Sequence, residues 1–246
     1  MDFPPTILNG GTTYPPSNDW LETLEWIKIN TPEDSVVASW WDYGYWISTL
    51  AERTTLIDNA TIGTWQIQNM AKIFLSTPDE AWNLLTDWDV DYVVVYVAAQ
   101  RLSGDWNGDS LYVLNGGGDE SKKNWFMRIA AVDQSKYLES DGFTASNYFW
   151  NETLLGKMIP YNNLIYYNPD SKESSKIFQN GFMPISILEI NYDDDGNYPL
   201  KLVHASPGFT NKNLERFSAV LVYEVNKNYI SINDNSAINQ NMRLEN

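Results

Sequence analysis

Two adjacent tryptophans and a carboxylate stand together in the segment Trp40-Trp41-Asp42-Tyr43-Gly44. The apolar run before this segment predicts a short buried strand, and the residues after it predict a helix. Strand-to-helix turns at the carboxyl edge of a sheet are where binding sites tend to form. A carboxylate there can accept a hydrogen bond from a hydroxyl group, and an indole N–H can donate to the same group. These residue types therefore suit a pocket for Ser or Thr, with an indole face against the Thr methyl.

The same residues also allow a purely structural interpretation, which stays equally open from the sequence alone. Asp42 lies near the start of the predicted helix, where a carboxylate caps free backbone amides. Trp40 and Trp41 point in opposing directions from an extended segment. We therefore expect one of them to be buried and the other to form a wall.

Composition excludes several classes of function. The chain has 246 residues, with 43% hydrophobic residues and a formal net charge of -16. That charge repels nucleic-acid backbones, so no nucleic-acid partner is expected. The absence of cysteine excludes disulfides and a thiol nucleophile. The single histidine, His204, lies in a predicted strand and reads as a half-buried or surface residue.

Hydrophobic patterning predicts an α+β (mixed) fold, in which a helix-rich α/β core is followed by a mostly antiparallel β portion. Alternating strands and helices in the first half predict a small, mostly parallel sheet. The expected strands are 36–40, 54–57, 91–97, 185–190, 200–204 and 219–225. The expected helices are one from Asp19 to just before Thr31, then 45–52, 63–75, 78–88, 120–131 and 146–158.

Four segments follow from this pattern. Residues 1–16 form a lead-in rich in Pro and Gly, and residues 17–160 form the central core. Residues 161–230 form a β-rich portion packed on or inserted in that core, and residues 231–246 form a polar tail. Within the core, the Gly, Asp and Asn of residues 100–118 predict a loop.

The segment at 40–44 resembles the WWDYG pentapeptide of oligosaccharyltransferase catalytic subunits. Its surroundings, from Tyr43 through Ile47 and from Arg53 to Asn59, are similar to archaeal and eukaryotic members of that family. The resemblance covers residues 17–160. It identifies the chain as the C-terminal globular, water-soluble domain of such a subunit, with Trp40, Trp41 and Asp42 binding the +2 Ser or Thr of the acceptor and Tyr43 and Gly44 supporting them.

The family's second element is the DK motif, an Asp and a Lys three residues apart followed four residues later by an apolar side chain. Asp119, Lys122 and Phe126 fit this spacing. A register shifted by one residue, with Glu120, Lys123 and Met127, fits with Glu in the first place. We favour the first register. Without the resemblance, a solvated charged turn before a helix would be the better interpretation.

The resemblance implies an enzyme that transfers an oligosaccharide from a dolichyl-phosphate or dolichyl-diphosphate carrier to the Asn of Asn-x-Ser/Thr in protein N-glycosylation. Its Mn²⁺ or Mg²⁺ is expected on acidic loops of a transmembrane domain outside this chain, and no metal site is expected within it. The chain would act on the extracytoplasmic face of the membrane, with no catalytic residue of its own. The partners are the acceptor polypeptide and, through the transmembrane domain, the lipid-linked oligosaccharide. We expect the chain alone to be inactive.

Other interpretations stay open. Eleven tryptophans also suit a Trp-rich carbohydrate-binding module, and 32 acidic residues would suit a glycosidase with paired carboxylates. Calcium loops at 191–196 and at Asp105, Asn107 and Asp109 fit poorly, because the first lacks the bidentate Glu. Asn59-Ala60-Thr61 and Asn151-Glu152-Thr153 are N-glycosylation sequons in the chain itself. Asn59 is first expected to have a structural role.

Overall fold

The computed structural model describes residues 17–192, 196–211 and 213–231. The predicted lead-in at 1–16, most of the predicted tail (232–246) and part of the acidic loop (193–195) lie outside the described residues. The division of the chain at residue 160 stays a prediction, and strands from both sides of that point belong to one sheet.

Helices and strands together confirm the mixed α+β class. The α-helices, in chain order, are α1 (Asp19–Asn30), α2 (Gly44–Thr49), α3 (Thr64–Leu75), α4 (Pro78–Asp87), α5 (Lys123–Ala130), α6 (Asn147–Glu152), α7 (Leu154–Met158) and α8 (Pro207–Thr210). The strands are β1 (Val36–Ala38), β2 (Thr54–Thr55), β3 (Tyr92–Trp106), β4 (Asp109–Leu114), β5 (Tyr161–Tyr167), β6 (Ser174–Ser175), β7 (Met183–Leu188), β8 (Leu200–Ala205) and β9 (Arg216–Val225). Short 3-10 helices cover Trp41–Tyr43, Asp119–Lys122 and Gln134–Lys136.

Strand β3 is the central strand of a single mixed sheet. Strand β9 pairs antiparallel with it over nine residue positions, from Tyr92 opposite Glu224 to Gln100 opposite Arg216. Strand β1 pairs parallel with the start of β3, and β4 pairs antiparallel with its second half. The first eight residues of β3 are buried, as its β-branched run predicts for a strand covered on both faces.

The strands predicted at 36–40, 54–57 and 91–97 pair in parallel with one another, as expected for the first half, and the strands of the second half pair antiparallel, as also expected. Within the described residues, only the pairs β1–β2 and β1–β3 are parallel, and the other strand pairs are antiparallel. The partner of the central strand comes, however, from the far end of the chain, and no local pattern in the first half indicates that pairing.

The predicted loop at 100–118 is wrong over most of its length. Strand β3 continues to Trp106 and turns back into β4 at Asn107-Gly108, where both residues have positive φ. Asn-Gly with two left-handed residues is the preferred two-residue hairpin turn, because its twist matches that of the strands. The surrounding polar residues concealed this signal.

Helix α1 shows how the amphipathic pattern builds the core. Trp20, Leu24 and Ile27 lie on one buried face, and the helix ends before Pro32 as expected. Helix α4 begins with a capping box in which Thr77 and Glu80 satisfy each other's backbone amides. In the described part of the chain, every helix is too short or too polar to cross a lipid bilayer.

Candidate functional site

The WWDYG segment, Trp40 to Gly44, forms the turn that joins the carboxyl end of β1 to helix α2. Trp40 is extended, the next three residues make one turn of 3-10 helix, and α2 begins at Gly44. Trp40 is 3% exposed, Trp41 is half-buried, and 31% of the Asp42 side chain is exposed. The turn therefore presents one indole and one carboxylate at its surface.

Trp40 belongs to the core and is held there by the second predicted motif. Its ring meets that of Phe126 edge to face, with 4.4 Å between the ring centroids. The centroid of the Trp41 ring lies 6.2 Å from that of Trp40. Aromatic edge-to-face pairs of this kind are favourable beyond the area they bury. The contact fixes the start of the WWDYG turn against helix α5.

Tyr43 anchors the turn in the core. Its ring is buried against Trp20 of α1, with 4.4 Å between centroids. Its hydroxyl donates to Asp119 Oδ1 at 2.8 Å and accepts from Lys122 Nζ at 2.7 Å. A buried phenol needs such partners, because an unpaired hydroxyl in the core is costly. Tyr43 thus joins the WWDYG turn to the segment carrying Asp119 and Lys122.

Asp119 is fully buried and completes the hydrogen bonding of the sheet. Its Oδ2 accepts from the backbone amide of Tyr96, in the stretch of β3 that lies between its pairings with β1 and with β4. A side-chain carboxylate takes the place of a strand carbonyl there. Gly118 makes this approach possible, since a Cβ at that position would lie 2.8 Å from the backbone nitrogen of Ala98.

Lys122 supplies the positive charge of the cluster. Its Nζ lies 2.7 Å from Asp42 Oδ2 and 3.3 Å from Asp119 Oδ1. It also lies 4.5 Å from the centroid of the Tyr43 ring. The ammonium group thus faces two carboxylates, and it fixes the orientation of the Asp42 carboxylate.

Burial perturbs the two groups deepest in this cluster. It raises the pKa of the Tyr43 hydroxyl well above its usual value, and the neighbouring Asp119 carboxylate raises this pKa further. Burial also raises the pKa of Asp119, while Lys122 and the hydrogen bonds to Asp119 oppose part of that shift. Tyr43 therefore stays a neutral hydrogen-bond donor at neutral pH.

The Asp42 carboxylate does not cap helix α2. That helix begins without a side-chain cap, and the described contact of the carboxylate is from Oδ2 to Lys122. Among the described residues, the other oxygen, Oδ1, has no hydrogen-bond partner. The capping interpretation is therefore wrong, and one oxygen of a partly exposed, charge-paired carboxylate remains available to a hydroxyl.

The structure brings the first of the two DK registers to the turn. In the shifted register, Lys123 is 1% exposed and pairs with Glu120 at 2.7 Å, with its ammonium group over the ring of Phe143. Met127 is buried as completely as Phe126. The side chains that contact the WWDYG segment are those of Asp119, Lys122 and Phe126.

The sequence did not indicate that Asn59 holds the WWDYG turn. Asn59 was expected to be structural, and its side-chain amide joins Asp42 to Tyr45. Contacts between a side chain and a distant backbone leave no periodic pattern, so only the Asn59 residue type could have pointed to it. Gly44, expected to support the site, lies against residues 57–58 so closely that any Cβ would overlap them.

The remaining candidates do not gather into a site. The described residues contain no group of three or more His, Asp or Glu placed to hold a metal, so the divalent ion of the resemblance finds no fitting ligands there. Asp105, Asn107 and Asp109 lie in the β3–β4 hairpin. The first calcium candidate includes residues 193–195, outside the described part. His204 bonds Thr23 at 3.2 Å and stacks on Trp26.

Residues 33–101 match the family model described as the STT3/PglB/AglB core domain. The chain is 28% identical over 189 residues to the dolichyl-diphosphooligosaccharide–protein glycosyltransferase subunit STT3 of Saccharomyces cerevisiae, covering 72% of this chain and 24% of that protein. It is 35% identical over 130 residues to the corresponding subunit, stt-3, of Caenorhabditis elegans, covering 52% of this chain and 16% of that protein.

The C-terminal globular domain of an oligosaccharyltransferase from Archaeoglobus fulgidus aligns over 87% of this chain and 100% of its own, at 21% identity and a TM-score of 0.47. Of the two curated relatives named above, from yeast and from the nematode, the chain spans about a quarter or less of the full length. These relatives are glycosyltransferase subunits, which does not favour the alternative of a carbohydrate-binding module.

Proposed function

We propose that this chain, whose residues 33–101 form an STT3/PglB/AglB core domain, binds the +2 Ser or Thr of an Asn-x-Ser/Thr acceptor at Trp40, Trp41 and Asp42. The observation that carries the proposal is the geometry of the Asp42 carboxylate. One oxygen is held by Lys122 at 2.7 Å, and among the described residues the other has no partner.

This arrangement suits a hydroxyl group. A carboxylate oxygen accepts the O–H hydrogen bond, and the half-buried Trp41 offers an apolar face to the methyl group of Thr. Lys122 fixes the carboxylate before the peptide arrives, so little conformational freedom is lost on binding. A peptide without the hydroxyl would cover Asp42 without pairing it, which makes the discrimination strong.

The proposal extends to the whole enzyme. The chain would be the acceptor-binding part of a membrane glycosyltransferase that moves an oligosaccharide from a dolichyl-linked donor to Asn, on the extracytoplasmic face of the membrane. Holding the +2 side chain places the Asn nitrogen near the donor, which is a contribution of proximity and orientation. The Mn²⁺ or Mg²⁺ and its ligands would belong to a transmembrane part outside these 246 residues. The chain alone would bind the acceptor and transfer nothing.

The test is a pair of NMR titrations of the chain with two peptides that differ only in the third position of Asn-x-Thr and Asn-x-Ala. We expect the Thr peptide to shift the indole resonances of Trp40 and Trp41, and the Ala peptide to bind at least about tenfold more weakly. Asp42→Ala should abolish this preference. Asp34→Asn, which changes an exposed carboxylate elsewhere, should leave it unchanged.

Two results would contradict the proposal. One is equal affinity for both peptides, and the other is a preference for Thr that survives in Asp42→Ala. Indole shifts produced by an oligosaccharide and by neither peptide would instead support sugar binding at this surface. Glycosylation of a sequon peptide by the pure chain would contradict the part of the proposal that places catalysis elsewhere.

A further inference from the structure

The side chain of Asn59 spans the WWDYG turn from outside. Its Nδ2 donates to the backbone carbonyl of Asp42 at 2.9 Å, and its Oδ1 accepts from the backbone amide of Tyr45 at 3.1 Å. A primary amide has one donor end and one acceptor end, and here each end faces the complementary backbone group. Rotating the amide by half a turn would replace two hydrogen bonds with two repulsions.

The turn needs such an external partner. The first amides of any helix lack intrahelical acceptors, and α2 begins without a side-chain cap of its own. Tyr45 is the second residue of that helix, so its amide is one of those groups. Asn59 therefore caps α2 from a different segment of the chain, which a local capping pattern cannot reveal.

The segment that carries Asn59 is itself fixed. Strand β2, just before it, pairs in parallel with β1. Gly44 then packs directly on that segment, since a Cβ at this position would lie 2.4 Å from the Cα of Asp58 and from the carbonyl oxygen of Ile57. Asp58 Oδ1 accepts from the amide of Ala60 at 2.8 Å, which closes a local turn. The amide of Asn59 is thus presented by the sheet edge rather than by a free loop.

We infer that Asn59 is a positioning residue for the hydroxyl-binding carboxylate. By holding the carbonyl of Asp42 and the amide of Tyr45, it sets the backbone from which the Asp42 side chain reaches Lys122. Its effect on peptide choice rests on the function proposed above, whereas its effect on the turn does not. The inference also assigns the Asn of the Asn59-Ala60-Thr61 triplet a role within the fold.

The experiment compares Asn59→Ala and Asn59→Asp with the parent chain. Asn59→Ala removes both hydrogen bonds, while Asn59→Asp keeps an acceptor for Tyr45 and loses the donor to Asp42. The matched control is Asn151→Ala, which alters the exposed asparagine of the other sequon. Two quantities are measured: amide hydrogen exchange of Tyr45 in the peptide-free chain, and the ratio of affinities for Asn-x-Thr and Asn-x-Ala peptides.

We expect Asn59→Ala to speed exchange of the Tyr45 amide and to reduce the preference for Thr, each by about tenfold, the size of one lost hydrogen bond. Asn59→Asp should leave Tyr45 exchange within about twofold of the parent and still reduce the preference by a similar factor. Asn151→Ala should change neither quantity. If Asn59 only contributed stability, its replacement would speed Tyr45 exchange and reduce the preference for Thr in proportion to global unfolding, and Asn59→Asp separates the two roles.

The inference is overturned if Asn59→Ala changes neither quantity, or if Asn59→Asp retains the full preference for Thr. Should Asn59→Ala fail to fold, Asn59→Asp alone decides through the preference. Should the parent chain show no preference for Thr, the proposed function fails separately. The inference then stands if Asn59→Ala speeds Tyr45 exchange and shifts the side-chain resonances of Lys122, and it falls if both stay as in the parent.

Discussion

Lys122 places its ammonium nitrogen 2.7 Å from the carboxylate of Asp42, although 80 positions separate the two residues in the chain. The same nitrogen bonds the hydroxyl of Tyr43, which in turn bonds the buried carboxylate of Asp119. The two motifs are therefore a single hydrogen-bonded structure. A substitution in either motif should therefore alter the hydrogen bonds of the other.

Replacing Lys122 by Met should lower the free energy of unfolding by about 3 kcal/mol, because it leaves Asp119 buried without its counter-charge. Urea unfolding followed by fluorescence measures this difference. The control is Lys28→Met, which breaks the exposed ion pair with Glu52 and should leave the urea midpoint unchanged. Equal shifts for the two variants would mean that Lys122 contributes no more than a surface charge.

The raised pKa of Asp119 gives its contribution to stability a defined dependence on pH. An unfolded aspartate has a pKa of about 3.9, so the folded chain binds this proton more tightly than the unfolded chain. The stabilisation is complete below that value and is lost as the pH rises through the folded pKa. The difference in unfolding free energy between the parent and Asp119→Asn should therefore shrink as the pH rises above about 4.

The control for this measurement has the opposite sign. Hydrogen bonds from Ser135, chiefly that of its backbone amide, lower the pKa of Asp133, so the stabilisation from that carboxylate grows as the pH rises above the folded pKa. That growth is complete near the unfolded pKa of about 3.9, so above about pH 4 the difference between the parent and Asp133→Asn should stay nearly constant. If the difference for Asp119→Asn is equally constant there, burial does not dominate the titration of Asp119.

Gly44→Ala should destabilise the chain by about 1–3 kcal/mol, because the new methyl group meets backbone atoms of Ile57 and Asp58 that cannot rotate away. Gly116→Ala provides the matched substitution. Gly116 is exposed, and a Cβ there meets no atom within 4 Å. Its thermal midpoint should stay close to that of the parent, and a shift as large as that of Gly44→Ala would argue against the close packing of α2 on residues 57–58.

His204 should make the chain less stable at mildly acid pH. Burial lowers the pKa of its imidazole below the usual value of about 6.5, so the unfolded chain takes up the proton first. The stabilisation is present above pH 6.5 or so and is lost as the pH falls through the folded pKa. Between about pH 7.5 and about pH 5.5, the parent should lose stability relative to His204→Gln. An NMR titration of this sole histidine with a midpoint above 6.5 would contradict the prediction.

The parts of the site that follow from local pattern could be predicted from the sequence. A buried strand followed by a helix places Trp40 to Gly44 on a turn, and a spacing of three places Asp119 and Lys122 on one side of a helical turn. Their contact across the fold was not predicted from the sequence. The capping role considered for Asp42 was wrong because Lys122, distant in sequence, is the partner that its carboxylate takes.

The errors share a physical cause. Nothing within residues 91–97 indicates that their partner strand lies beyond residue 215, because pairing is specified by packing across the whole sheet. Two contacts of the site join a side chain to a distant backbone: Asn59 bonds the backbone of Asp42 and Tyr45, and Asp119 bonds the amide of Tyr96. Such contacts leave no periodic pattern in the sequence. The Asn107-Gly108 turn was readable, and the polar residues around it favoured a loop.

Strand β9, the longest partner of β3, is among the last parts of the sheet to be synthesised. Translation releases the WWDYG segment early and Asp119 later, whereas the strand that completes β3 emerges only with residues 216–225. Until then, the amide of Tyr96 that holds Asp119 belongs to a strand lacking its longest neighbour. We therefore expect the hydrogen-bonded cluster of Asp42, Tyr43, Asp119 and Lys122 to form only after residues 216–225 have been made.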